Sequence, residues 1–191
     1  PEESITMDPR MSGHWFQSAS RFGLLLHARL LPAQENSGKL VSLIKEKAKM
    51  GAMDGAGDRG GARPFLIVDG PPGIACPAIA AVSGADLVLI VTEPTMAGLH
   101  DLKRAEKMAA HFRIPRLVCI NKADIHPEGA DQIEAHCRER GIKVLGRVPF
   151  DEAVTEAMIA GVPVTEYSPQ SPASLSIKGL WDGVRAVLKE A

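Results

Sequence analysis

Four short segments hold the residues capable of chemistry: Asp69-Gly-Pro-Pro-Gly73, Thr92-Glu-Pro-Thr95, Asn121-Lys-Ala-Asp124 and Pro149-Phe-Asp151. Asp69 carries a carboxylate into a Gly-Pro-Pro-Gly turn. Such a group can hold Mg²⁺ through water, because Mg²⁺ keeps much of its hydration shell. Gly73 can bring a backbone N–H against a terminal phosphate, with no Cβ to clash. On that reading Asp69 and Gly73 are catalytic, and Asp69 is also the metal-site residue. The prolines stiffen the turn, so that it would move as a unit when phosphate leaves. A simple turn capped by Asp69 is the alternative. Asn121 offers a carbonyl and an amide that suit a purine edge; an Asx turn closing a strand is the alternative. Pro149 and Asp151 would wall the same base pocket, and Asp151 can equally cap the following helix. Asn121, Asp124, Pro149 and Asp151 are therefore the cofactor-binding candidates.

These segments need elements to position them. Apolar runs at 65–68, 87–91, 117–120 and 144–148 are rich in Val, Ile and Leu and barely alternate, as strands covered on both faces do. Helical stretches near 76–83, 97–112 and 128–140 fill the intervals. Strand, helix and strand repeated this way predict an α/β fold, a mostly parallel sheet with right-handed crossovers and helices on both faces. Ligands of such sheets bind at the carboxyl ends of the strands, where each of the four segments falls. Upstream, 15–19 and 23–31 are two apolar stretches that could pair as a hairpin. Ser37 is a plausible N-cap for a helix over 38–50. Further helices are expected over 151–159 and 175–189, the last with an apolar face (Leu180, Trp181, Val184, Val187, Leu188) that should dock on the sheet. The chain reads as one domain over 1–191, with an irregular segment at 1–12 and a flexible loop at 51–64.

Composition narrows the classes. The net charge of −1 gives no electrostatic case for nucleic acid or an anionic membrane. No apolar run approaches the ~18 residues of a membrane span, so no stable membrane insertion is expected. Three scattered cysteines do not make a disulfide framework and fit a reducing, cytoplasmic setting. Cys119 reads as core; Cys137, on a polar helix, reads as incidental. The serines lack a G-x-S-x-G context, and the six histidines lack zinc-enzyme spacing. A phosphate-cradling G-x-x-x-x-G-K-[ST] loop is also missing. The nearest text, Ala33-Gln-Glu-Asn-Ser-Gly-Lys-Leu40, has Ala33 for the first glycine and Leu40 for the Mg²⁺-binding hydroxyl.

Taken together, the stretch from Phe65 to Pro77, Val91-Thr-Glu-Pro-Thr95 with Gly98-Leu-His-Asp101, Asn121-Lys-Ala-Asp124 and Val148-Pro-Phe-Asp151 resemble the MinD/ParA/Mrp group of P-loop ATPases. The likeness is greatest to the subgroup with an inserted ferredoxin-like, iron–sulfur domain. It implies an incomplete P-loop NTPase domain of the SIMIBI type, binding ATP and Mg²⁺. In GTPases an Asn-Lys-x-Asp run reads guanine; in relatives that use ATP the Asn contacts adenine. The intact protein would be a homodimeric ATPase switch. It would carry a 4Fe-4S cluster or act on an iron–sulfur or other metalloprotein partner, in cofactor maturation or electron transfer. Lacking the Walker A loop and the cysteine-rich insert, the isolated chain is expected to be inactive, and a fragment or a truncated relative. In the related nitrogenase iron protein, a cysteine at the place of Cys76 binds a shared cluster; a buried residue at a helix start is the alternative. A partition or division switch and a non-catalytic interaction module are the competing functions.

Overall fold

The computed structural model describes residues 11–34, 38–54 and 64–190. It divides into two compact units, Pro1–Ala81 and Val82–Ala191.

The first unit opens with an antiparallel hairpin, β1 (Gly13–Ser20) and β2 (Gly23–Leu30), paired from Gly13↔Leu30 to Ser20↔Gly23. The two expected apolar stretches do pair. One face carries Trp15, Leu24, Leu26 and Ala28; Phe16 stacks on His27 on the other, with ring centroids 5.2 Å apart. A helix, α1 (Gly38–Asp54), follows and runs one turn beyond the expected end; Ser37, its predicted cap, lies outside the described residues. Lys45, nearly buried on α1, donates to the carbonyl of Ala81 at 2.6 Å and so satisfies the end of α2 (Cys76–Val82). Burial holds its ammonium pKa below the usual lysine value.

The expected strand at 65–68 is not a strand. Phe65, Leu66, Ile67 and Val68 are joined to no sheet, and all four are exposed. The physical reason is pairing: an apolar run becomes a strand only beside a neighbouring strand, and among the described residues no strand pairs with this one.

In the second unit, three parallel strands lie in the order β3 (Val88–Thr92), β4 (Arg116–Asn121), β5 (Lys143–Val148). The helices α3 (Met96–His111) and α4 (Pro127–Glu139) cover one face. Ile90, Leu102, Val118, Ile120, Ile133 and Cys137 form its core. Alternation along β4 turns Cys119 to the opposite face, where Val148 meets Ala173 and Leu180 of α7 (Pro172–Glu190). The last helix thus docks on the sheet as expected. Short helices α5 (Glu152–Ala160) and α6 (Val164–Tyr167) lie between β5 and α7. α5 stops at Gly161, whose φ of 69° suits a glycine C-cap. Cys137 is not incidental: it is 1% exposed, and burial pushes its thiol up to about 11. Cys119 is likewise core, its thiol also pushed up to about 11.

Candidate functional site

The carboxyl ends of β3, β4 and β5 form one stitched rim. Asn121, the last residue of β4, is the register partner of Val148, the last residue of β5. The chain then turns at Lys122, which adopts a left-handed φ of 50°. That turn aims Ala123 N–H at the Val148 carbonyl (3.0 Å). Asp124 Oδ1 accepts from Phe150 N–H at 2.6 Å. The loops after β4 and β5 are therefore tied twice. The third tie runs the other way: Lys122 Nζ meets Glu93 Oε1 at 2.8 Å, linking the end of β4 to the end of β3.

The loop after β3 leads directly into α3. Thr95 caps that helix, its hydroxyl accepting from Gly98 N–H at 2.9 Å. Two glycines allow this packing. A Cβ on Gly98 would strike the Glu93 carbonyl, and one on Gly129 would strike the Pro94 carbonyl and the His126 ring. His126 caps α4, Nδ1 accepting from Gly129 N–H at 2.7 Å.

Asp151 caps α5 through Oδ1 (Ala153 N–H, 3.0 Å), while Oδ2 accepts from Ala173 N–H in the first turn of α7 (3.1 Å). The Ala173 amide, ahead of smaller contributions from Ser171 and Ala153, holds its carboxyl below the usual carboxylate range. Of the two sequence readings for Asp151, the cap is what its hydrogen bonds make. Among the described residues, Asn121 is the polar member of 121–124 whose side chain has no hydrogen-bond partner; Lys122 and Asp124 are engaged. Its carbonyl and amide remain available to a planar group that offers both an acceptor and a donor.

Asp69, Gly73 and Cys76 follow one another in the first unit. Asp69 is exposed, ahead of a turn in which Gly73 takes a φ of 84°, a conformation that favours glycine. Cys76 is exposed at the start of α2. A Cβ on Gly38 would crowd the Cys76 carbonyl, so the backbones meet closely there. Among the described residues no three His, Cys, Asp or Glu side chains are grouped to hold a metal ion. Cys119 and Cys137 are buried, so one chain presents one accessible thiol, and a four-thiolate cluster does not fit within it.

Sequence reasoning placed Asn121, Asp124, Pro149 and Asp151 on adjacent strand ends, and they are found there. It missed the Glu93–Lys122 pair and the His126 cap. A carboxylate at the end of one strand and a cation just past the next was the available signal for the first. His126-Pro127 ahead of Glu128 was the signal for the second.

A profile of the ParA family, described as NUBPL iron-transfer P-loop NTPase, matches residues 61–185. An uncharacterized protein of Methanocaldococcus jannaschii is 27% identical over 92% of this chain and 55% of its own length. An iron-sulfur cluster carrier protein of Pyrococcus horikoshii is 29% identical over 68% of this chain and 48% of its own. The chain spans about half the length of the curated relatives it matches. In fold it is similar to the septum site-determining protein MinD of Pyrococcus horikoshii, solved with Mg-ADP. The TM-score is 0.59 at 18% identity, over 78% of this chain and 56% of that one. No described helix is long and apolar enough to cross a membrane.

Proposed function

The chain belongs to the ParA family of P-loop NTPases, NUBPL iron-transfer type, and from that premise we propose that it supplies the base-reading rim of an ATP–Mg²⁺ switch serving iron–sulfur cluster carriage. One observation carries the reading. Asn121 ends β4 with its amide unpartnered among the described residues, between two loops fixed by Ala123–Val148, Asp124–Phe150 and Lys122–Glu93. A rigid rim with one open donor–acceptor pair suits a purine edge, and Pro149 beside it offers an apolar wall. Asp69 would hold Mg²⁺ through water, and Gly73 would approach the terminal phosphate. ATP supplies a transferable phosphoryl group and Mg²⁺ neutralises its charge. This chain's residues orient the base and sense the phosphate.

Phosphate grip is a separate matter. The sequence holds no G-x-x-x-x-G-K-[ST] loop, which provides most phosphate contacts in such sites. Weak ATP binding and no hydrolysis are expected of the 191-residue chain by itself. Cluster carriage would take two copies and further ligands from elsewhere, because each copy offers the single exposed thiol Cys76 and a pair supplies two of the four ligands a cluster takes. The named cluster carrier among the relatives supports a role in cluster carriage.

Calorimetric titration with ATP–Mg²⁺ tests the base site. Weak binding is expected, reduced roughly tenfold in Asn121→Ala, the scale of a lost buried hydrogen-bond pair. Equal binding by the two proteins would sink the base assignment. Anaerobic reconstitution with iron and sulfide tests the cluster: the wild type should gain broad visible absorption and dimerise, and Cys76→Ser should do neither. Absorption unchanged in that variant would remove Cys76 from the proposal.

A further inference from the structure

We propose that Asp124 is a positioning residue, which braces the 149–151 loop against the end of β4 and leaves the reading of the base to Asn121. The inference rests on the base-site reading above but concerns a different atom pair. In an Asn-Lys-x-Asp run the aspartate has two possible duties. It can accept from two donors on the edge of a guanine, which takes both oxygens facing the ligand. Or it can accept from the protein.

Here it accepts from the protein: Oδ1 takes the Phe150 N–H at 2.6 Å, across 26 residues of sequence. Three neighbouring contacts make that choice specific. The left-handed turn at Lys122 sets the direction in which residue 124 emerges. Ala123 N–H, bonded to the Val148 carbonyl, holds the two loops side by side. Asp151, directly after Phe150, is fixed by Ala153 and Ala173, so the Phe150 amide has little freedom to turn elsewhere. To read guanine with both oxygens, Asp124 would have to release Phe150 and give its N–H up to water, loosening the two loops. Adenine carries no such pair of donors on one edge and makes no such demand. The brace therefore favours adenine by leaving one of the two carboxylate oxygens occupied.

Two substitutions separate the duties. Asn at 124 keeps an acceptor oxygen for Phe150 but loses the charge a guanine reader needs; Ala keeps neither. In the full chain, amide hydrogen exchange at Phe150 reads the brace without any nucleotide. Slow exchange is expected in the wild type and in Asp124→Asn, and exchange faster by roughly tenfold or more in Asp124→Ala. Competition of ATP–Mg²⁺ and GTP–Mg²⁺ against a fluorescent nucleotide reads the consequence. ATP should win in the wild type. Asp124→Asn should hold its ATP affinity within about twofold, and Asp124→Ala should lose roughly tenfold. Wild-type preference for GTP that collapses equally in both variants would overturn the proposal while leaving a nucleotide site in place. Binding of neither nucleotide would defeat the proposed function, and the brace would then stand or fall on Phe150. Unchanged protection there in Asp124→Ala overturns it.

Discussion

Asp151 and Glu106 are both carboxylates with protein partners, yet they work under opposite conditions. Asp151 sits at the surface between the starts of α5 and α7, with its pKa lowered chiefly by the Ala173 amide. A folded pKa below the unfolded one means that ionisation favours the fold. That contribution is complete above the ordinary carboxylate value of about 4 and fades as pH falls through the lowered one. Asp151→Ala should therefore lower the melting temperature by several degrees at neutral pH, with the gap closing in acid. Thermal unfolding followed from pH 7 down to about 2 checks this; a gap constant with pH would contradict it. Glu106 is buried, with Oε2 3.2 Å from His136 Nε2 and Oε1 3.7 Å from Arg116. The Arg116 Nε is already buried without a partner among the described residues. Glu106→Ala would leave that guanidinium uncompensated and should cost about 3 kcal/mol in denaturant unfolding. The Asp151 cap of α5 was legible in the sequence as a local signal, whereas the Glu106 contacts were not. His136 is 30 residues from Glu106, and only folding makes them neighbours. Strand-end residues such as Asn121 were legible because a buried run followed by a polar turn is a local signal.

At the scale of elements, the periodic segments gave strands and helices to within a few residues, since burial on two faces leaves a long apolar run or a helical stripe. The stretch 65–68 shows where that logic stops. Its composition is that of a buried strand, but pairing is decided by a neighbour, and composition carries no information about one. Cys137 shows the converse, a core position hidden in a polar helix because only one face of α4 is buried. Packing at the start of α3 makes a sharp test. A Cβ at Gly98, in the first turn of α3, meets the carbonyl of Glu93, which belongs to the loop that carries the ion pair to Lys122. Gly98→Val should destabilise the protein by roughly 2–3 kcal/mol through overpacking, and a melting temperature equal to wild type would show that this loop yields freely.

Over the whole molecule, the chain falls into two compact units. The second contains both clusters of buried side chains, from Ile90 to Val148 together with Ala173 of the last helix. Every residue of the stitched rim, from Glu93 to Asp151, also belongs to it. Residues 82–191 expressed alone should keep their helical circular dichroism and unfold cooperatively; a spectrum without fixed structure would mean that the core depends on the rest of the chain. The outer strand of that unit has a practical consequence. β3 is Val-Leu-Ile-Val-Thr, paired on one side only among the described residues, with Leu89 and Val91 exposed and no proline or lysine to blunt it. Such a ribbon invites its own kind, so concentrated solutions should turn cloudy by edge-on stacking, and a lysine at position 91 should keep them clear.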